Sequence, residues 1–203
     1  MVKINRVYTG GGDGGESSLV DGSRRRKSDP RFSVVGTCDE ANSWLGMVLA
    51  EINRVPDHED GGERTSVQRV QTVLNEALAR VQNELFDLGA ELACPPEALP
   101  EYMVLLSQGQ TDVLMAEMDA WLVSLPELTS FILPAGSPPV ACLQVARTVV
   151  RRLERDIVQL QEHEGEAAVR PLVKVYVNRL SDWIFVMCRW VSTMLNEEEA
   201  LWV

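Results

Sequence analysis

One apolar rhythm constrains this chain more than any other feature. Val67, Val70, Leu74, Ala77, Leu78, Val81, Leu85, Leu88 and Leu92 recur at steps of three and four residues, the period of a helix that buries one face. Such a face needs partners of its own kind, and the rest of the chain supplies them. Val34, Val35, Cys38, Leu45, Val48, Leu49 and Ile52 predict a helix over 32–54, and a shorter one follows over 110–124. Leu143, Ala146, Val150, Leu153, Ile157 and Leu160 share one face of a helix over 140–163, and a helix over 171–195 buries Leu180, Trp183, Ile184, Met187 and Val191. Thr65 or Ser66 is placed to cap the clearest helix, Pro95 and Pro96 stop it, and Pro171 suits a first turn. Five helices with mostly short connections and no convincing strand pair predict an all-α, antiparallel five-helix bundle. At 203 residues the chain is read as one domain. Residues 1–31 form its N-terminal loop, 32–195 the bundle and 196–203 a tail.

Composition narrows the function. Apolar residues make up 45% and charged residues 24% of the chain, proportions of a soluble globular protein. A net charge of −11 argues against a nucleic-acid partner, so a polyanionic ligand needs a local basic cluster. Arg24-Arg25-Arg26-Lys27 and Arg147…Arg151-Arg152…Arg155 are the two candidates. No apolar run is long enough to span a membrane. The start, Met1-Val2-Lys3-Ile4-Asn5-Arg6, lacks a secretory apolar region, which leads to the expectation of a cytoplasmic protein. Cys38, Cys94, Cys142 and Cys188 are scattered and read as small buried hydrophobes. His58 and His163 lack the spacing of a zinc site and read as surface residues.

Four segments could carry chemistry. Thr9 through Leu19 contains five glycines, whose backbone amides can approach an anion closely. It matches neither a P-loop nor a dinucleotide fingerprint, and alone it also fits a flexible tail. Arg147, Arg151 and Glu154 stand at i, i+4 and i+7 and so share a helix face, about 100° or more from the apolar stripe. That pattern suits either a solvated face or a site for phosphate or carboxylate. Asn178, Asp182, Phe185 and Arg189 form a stripe on the last helix, which suggests a buried polar contact. Phe131-Ile132-Leu133-Pro134-Ala135-Gly136-Ser137 is an apolar turn that taken alone reads as a hydrophobic staple and linker.

In this order, the segments resemble the PduO-type ATP:cob(I)alamin adenosyltransferases. Thr9, Gly10, Gly12, Asp13, Gly15, Ser17 and Leu19 match that family's opening T-G-x-G-D-x-G-x-[TS]-x-L loop. Lys27 and Arg31 follow, then Gly36-Thr37-Cys38-Asp39-Glu40-Ala41-Asn42 and Leu85-Phe86-Asp87-Leu88-Gly89-Ala90-Glu91-Leu92. The turn Phe131–Ser137 and the runs Ala146–Arg155 and Asn178–Asp182 complete the pattern. Val35, Ala41 and Ala135 depart from the family's usual Tyr, Leu and Gly.

The resemblance implies a homotrimer with each active site between adjacent subunits. It implies transfer of the 5′-deoxyadenosyl group of ATP to cob(I)alamin, with release of triphosphate. ATP is then a co-substrate, cobalamin the substrate, and Mg²⁺ rides on the phosphates without a side-chain cluster of its own. Thr9, Gly10, Gly12, Asp13, Gly15, Ser17 and Lys27 would wrap the triphosphate. Arg151 would contact phosphate, and Glu154 and Asn178 would help hold the nucleoside. Arg147 would pair with Asp39 across the interface, and Phe131 would crowd the lower axial face of the corrin. On the same resemblance, partners would be a flavoprotein reductase and an adenosylcobalamin-dependent mutase or dehydratase. A second reading is a non-catalytic module that binds adenosylcobalamin and ATP for delivery.

Overall fold

The computed structural model describes residue 8, residues 10–59 and residues 62–203. Five helices carry the fold: α1 (Pro30–Ile52), α2 (Thr65–Leu92), α3 (Gln108–Leu122), α4 (Pro138–Glu164) and α5 (Pro171–Met194). α1 packs on α4 and α2, α4 on α5, and α5 on α3. Every apolar residue that marks the periodic face of α2 is buried, as are Leu143, Val150, Leu153, Ile157 and Leu160 of α4 and Leu180, Trp183, Ile184, Met187 and Val191 of α5. Val35 and Leu49 of α1 are only half-buried and pack at the core's margin. Among the described residues no helix is long and apolar enough to cross a membrane.

The helix ends follow from local chemistry. The Asp29 carboxylate accepts the Arg31 amide at 2.9 Å and Pro30 opens α1. Pro138 and Pro171 open α4 and α5, there without a side-chain cap. The expected cap of α2 at Thr65 or Ser66 is not observed. Arg64 holds that position without a side-chain capping bond; its guanidinium instead donates to the Pro56 carbonyl at 3.3 Å and its amide to the Asp57 carbonyl at 2.7 Å. Arg64 follows β4 with φ of −92° and ψ of 82°, outside the helical region, and Thr65 is already helical.

A strand pair does exist, contrary to the sequence expectation. β1 (Glu16–Ser18) and β2 (Arg24–Arg26) form an antiparallel ladder that pairs Ser17 with Arg25. A second minimal ladder joins β3 (His58–Glu59) to β4 (Gly62–Glu63). Nor is the N-terminal segment without a packed element. Leu19 is buried, and the Val20 amide donates to the Ala93 carbonyl at 3.1 Å, fastening the hairpin to the end of α2. Three-residue strands carry too little alternation to register as a sequence pattern.

One polar network crosses the core between α2, α3 and α5. Tyr176 Oη donates to Glu84 Oε2 at 2.6 Å, Arg80 bonds Glu84 and Glu117, and Trp183 Nε1 donates to Glu117 at 2.7 Å. The network ties α2, α3 and α5 together, and each buried group in it finds a partner.

At its C-terminus α5 ends in a Schellman turn. Asn196 adopts φ of 57°, its amide donates to the Thr193 carbonyl at 3.1 Å, and the Glu197 amide donates to the Ser192 carbonyl at 2.8 Å. The turn sends residues 197–202 back across the loop between α3 and α4. There Leu133 donates to the Ala200 carbonyl at 2.7 Å and Trp202 to the Phe131 carbonyl at 2.8 Å.

Candidate active site

The Gly-rich loop is built of consecutive turns. Asp13 donates to the Gly10 carbonyl and Gly15 to the Gly12 carbonyl, each at 3.2 Å. Gly10 and Gly15 have φ of 71° and 82°, the left-handed region that glycine enters without a Cβ clash. The Lys27 amide donates to the Gly15 carbonyl at 2.9 Å, continuing the β1–β2 ladder. Its ammonium comes back over the loop, 3.1 Å from where a Cβ on Gly12 would stand. The lysine therefore lies over the glycine turns near Gly12, and Ser17 lies in the adjoining strand. Thr9 lies outside the described residues.

The Arg24–Lys27 cluster divides its labour. Arg24 bonds the Gly11 carbonyl at 2.7 Å and lies 3.6 Å from Glu16, bracing the loop. Arg25 pairs with Asp29 and Glu164. Of the four basic groups, Lys27 is the one whose charged end lies against Gly12.

On α4 the Arg147/Arg151/Glu154 face is present as the spacing implies. Arg147 is half-buried and its Nε donates to the buried Gln144 at 2.9 Å. Burial holds its pKa below the usual guanidinium range, and the neighbouring Arg151 charge pushes in the same direction. Neither guanidinium has an acidic partner within the chain among the described residues. Two like charges one turn apart destabilise a helix unless something else neutralises them. Glu154 accepts from Asn178 Nδ2 at 2.9 Å, so the polar stripe of α5 meets this face. Arg179 in turn bonds Asp182 and the Asn178 carbonyl oxygen of its side chain, fixing the amide's orientation. A concavity of about 530 Å³ runs on along α4 past Glu154, Arg155 and Val158.

Asp39 lies elsewhere, in a groove between α1 and α2. Val35, Gly36, Asp39 and Asn42 form one wall and Leu85, Phe86, Gly89 and Ala90 the other, around a cavity of about 340 Å³. Two of the sequence motifs thus face each other across mostly apolar walls, the character of an organic-ligand site. Within the chain Asp39 and Arg147 form no ion pair. Phe86 is 75% exposed at the groove and Phe131 is 78% exposed on its turn.

The exposure of Phe131 overturns its reading as a hydrophobic staple. Its ring rests against that of Trp202, with centroids 6.4 Å apart and planes at 66°. Gly136, with φ of 127°, makes the turn possible, because a Cβ there would lie 2.6 Å from Val140 Cγ1. The other end of the α5 stripe serves this turn. Arg189 is buried and bonds Glu199 at 2.8 Å and the Pro126 carbonyl at 2.8 Å, while the Ser137 amide donates to Glu197 at 3.0 Å.

Sequence reasoning missed Gln144, Glu164, Glu199 and Trp202. Asn196 just beyond the last periodic residue was the available signal for the returning tail. Burial pushes the Cys38 and Cys188 thiols up to about 12, so both are packing groups. His58 is exposed beside Asp57. Among the described residues no cluster of three or more His, Cys, Asp or Glu could hold a metal ion.

Comparison with known proteins bears on this arrangement. The sequence profile described as cobalamin adenosyltransferase matches residues 7–191. A corrinoid adenosyltransferase of Mycobacterium leprae is 38% identical over 197 residues, covering 95% of this chain and 94% of that protein. One of Bacillus subtilis is 37% identical over 187 residues, covering 92% and 86%. The fold is similar to that of a PduO-type ATP:corrinoid adenosyltransferase variant from Lactobacillus reuteri, solved with cobalamin and ATP. The TM-score is 0.81 at 29% identity, over 97% of this chain and 99% of that one.

Proposed function

The chain belongs to the cobalamin adenosyltransferase family, and on that premise we propose how its own residues transfer the 5′-deoxyadenosyl group of ATP to a reduced corrinoid. The observation that carries the site assignment is the pair Arg147 and Arg151. These are two guanidiniums one helical turn apart with no acidic partner among the described residues, beside the fixed Glu154–Asn178 pair. Such a face is completed by an anion from outside the chain.

In the reaction, Co(I) of the corrinoid substrate supplies an electron pair to C5′ of ATP. The C5′–O bond breaks, triphosphate leaves with that bond's electrons, and cobalt ends formally as Co(III) bonded to carbon. The nucleophile is the substrate's own metal, so no general base is required. The chain's work is alignment and charge. Holding C5′ in line with cobalt can supply up to roughly 7–11 kcal/mol. Lys27, those amides of the Gly10–Gly15 loop that its turns do not use, and Arg151 stabilise the departing triphosphate. Glu154 and Asn178, already bonded to each other at 2.9 Å, offer remaining donors and acceptors to the nucleoside. Phosphate oxygens and water are the ligands proposed for Mg²⁺, a cation that keeps much of its water when bound.

The corrin would lie against the Asp39 groove and Phe131. The separation of Asp39 from Arg147 within one chain supports a site shared between copies, in which Arg147 of one subunit meets Asp39 of another. The exposed Phe86 and Phe131 support the same arrangement, here taken as a homotrimer. Phe131 would occupy the lower axial face and keep a nitrogen ligand off cobalt, which raises the Co(II)/Co(I) potential. A single domain, acting in the cytoplasm with an electron-donating flavoprotein and an adenosylcobalamin-dependent enzyme downstream, fits this role.

The test is an anaerobic absorbance assay with ATP, Mg²⁺ and chemically generated cob(I)alamin. Decay of the Co(I) band with growth of a light-sensitive alkylcobalamin spectrum, at catalytic amounts of protein, is the expected result. Binding of both substrates without that conversion would instead identify a delivery module.

A further inference from the structure

Glu164, the last residue of α4, receives two arginines at once. Arg31, on the first turn of α1, has no exposed surface. Its guanidinium donates to the Leu92 carbonyl at 2.9 Å, the Cys94 carbonyl at 3.1 Å and the Ala168 carbonyl at 3.4 Å, and it pairs with Glu164. A buried cation requires such an acid, so this half of the cluster explains itself as packing. Arg25 does not. It is partly exposed, belongs to β2, and could have remained in solvent like its neighbours Arg24 and Arg26. Instead it crosses to α4 and takes the other oxygen of the same carboxylate.

The consequence lies two residues further on. Arg25 is the central residue of a three-residue strand, opposite Ser17. The Lys27 amide extends that ladder to Gly15, and its ammonium covers Gly12. The span from Arg25 to Lys27 is only about 7 Å of strand. Besides the Arg25 contacts, the hairpin is tied to the bundle by the buried Leu19, the Val20–Ala93 hydrogen bond and the Asp29 amide, which donates to the Arg26 carbonyl at 2.9 Å. Two residues cannot swing far while the first is held, so the Arg25–Glu164 pair limits where the Lys27 amine can go. The helix that supplies Glu164 also carries Arg147, Arg151 and Glu154, which places the strut and the phosphate face on one rigid element.

We propose that Arg25 and Glu164 are positioning residues that hold the β1–β2 hairpin against α4 so that Lys27 and the Gly12 loop meet the triphosphate of ATP in register with the α4 arginines. The inference rests on the reading of that loop as the phosphate-binding element. Neither residue touches substrate. Their effect is to remove the cost of ordering the loop when ATP binds.

The test uses the intact protein and steady-state kinetics with each substrate varied. Arg25→Ala leaves Arg31 and Glu164 paired, so folding is retained. The expected result is a rise of about tenfold in KM for ATP, with KM for the corrinoid, kcat at saturating ATP and the melting temperature near those of the parent. Glu164→Gln should raise KM for ATP similarly. Combined with Arg25→Ala it should add little, because both changes cut the same strut. Arg54→Ala, which breaks only an exposed pair with Glu51, is the control expected to change nothing. An unchanged KM for ATP in Arg25→Ala, while Lys27→Ala impairs ATP use, would overturn the strut and leave the loop reading standing. Unchanged kinetics in Lys27→Ala as well would remove the loop reading and the strut with it. Equal losses for both substrates accompanied by a lower melting temperature would reduce Arg25 to a packing residue.

Discussion

The indole of Trp202 meets the ring of Phe131 edge-on, with centroids 6.4 Å apart, and the same residue's amide donates to the Phe131 carbonyl at 2.8 Å. One residue of the returning tail therefore fixes both the backbone and the ring of the side chain expected at the corrin's lower face. Aromatic edge contacts contribute about 0.5–1.5 kcal/mol beyond area burial. At an exposed site that is enough to bias a ring's position without deciding the fold.

Trp202→Ala should therefore lower the melting temperature by only a few degrees, since each kcal/mol shifts a domain of this size by about 2–4 °C. Its activity should fall toward that of Phe131→Ala, and it should lose part of any four-coordinate Co(II) signature the parent shows with ATP. Magnetic circular dichroism of bound cob(II)alamin is the direct measurement. A full four-coordinate signal in Trp202→Ala would mean that Phe131 holds its place unaided.

Arg151→Ala separates function from stability by sign. Its guanidinium makes no hydrogen bond or ion pair among the described residues, and its charge disfavours the protonated form of Arg147 one turn away. Removing it relieves a like-charge pair costing about 0.2–0.5 kcal/mol. The variant should thus melt at or slightly above the parent temperature, while kcat/KM for ATP drops by a factor on the order of 10²–10³. Equal kinetics in the two proteins would assign Arg151 to a solvated face.

Gly136→Ala should destabilise the turn that presents Phe131. The position has φ of 127°, and the added Cβ would stand 2.6 Å from Val140 Cγ1 and 3.0 Å from Val140 Cβ. Backbone strain of this kind costs about 1–3 kcal/mol, before any movement of α4's first turn. Thermal unfolding measures the loss. The turn tolerates Ala135 next door, where the backbone does not require a positive φ.

What the sequence disclosed divides along physical lines. Helices of 24 to 28 residues repeat their period several times, so α2, α4 and α5 announce their buried faces and approximate extents, though not the cap of α2. The Arg147/Arg151/Glu154 face is legible for the same reason, since i, i+4 and i+7 fix a common side of any helix. The β1–β2 ladder has three residues a strand and no repetition to read. Contacts such as Arg25–Glu164 span 139 positions, and nothing local marks Glu164 as different from any acid at an exposed helix end. The returning tail lies between these cases: Asn196 signals the turn, but only the fold shows where the tail lands.

Glu164 also gives a pH dependence whose sign can be worked out. Burial works to raise its pKa, but the hydrogen bonds from Arg31 and then Arg25 outweigh burial and hold it below its ordinary 4.5. A carboxylate depressed in the folded state contributes stability that is complete above the unfolded value and is lost as pH falls through the lower folded value. Below pH 4.5, then, the parent protein should lose stability more steeply than Glu164→Gln, whose side chain cannot titrate. At neutral pH the variant is the less stable of the two, because it leaves the buried Arg31 without its counter-charge. Urea unfolding midpoints measured for both proteins between neutrality and about pH 3 decide the point: the difference between them should narrow in acid. Parallel curves would mean that the carboxylate titrates no differently in the folded and unfolded chains, and that Arg31 is held by its three backbone carbonyls alone.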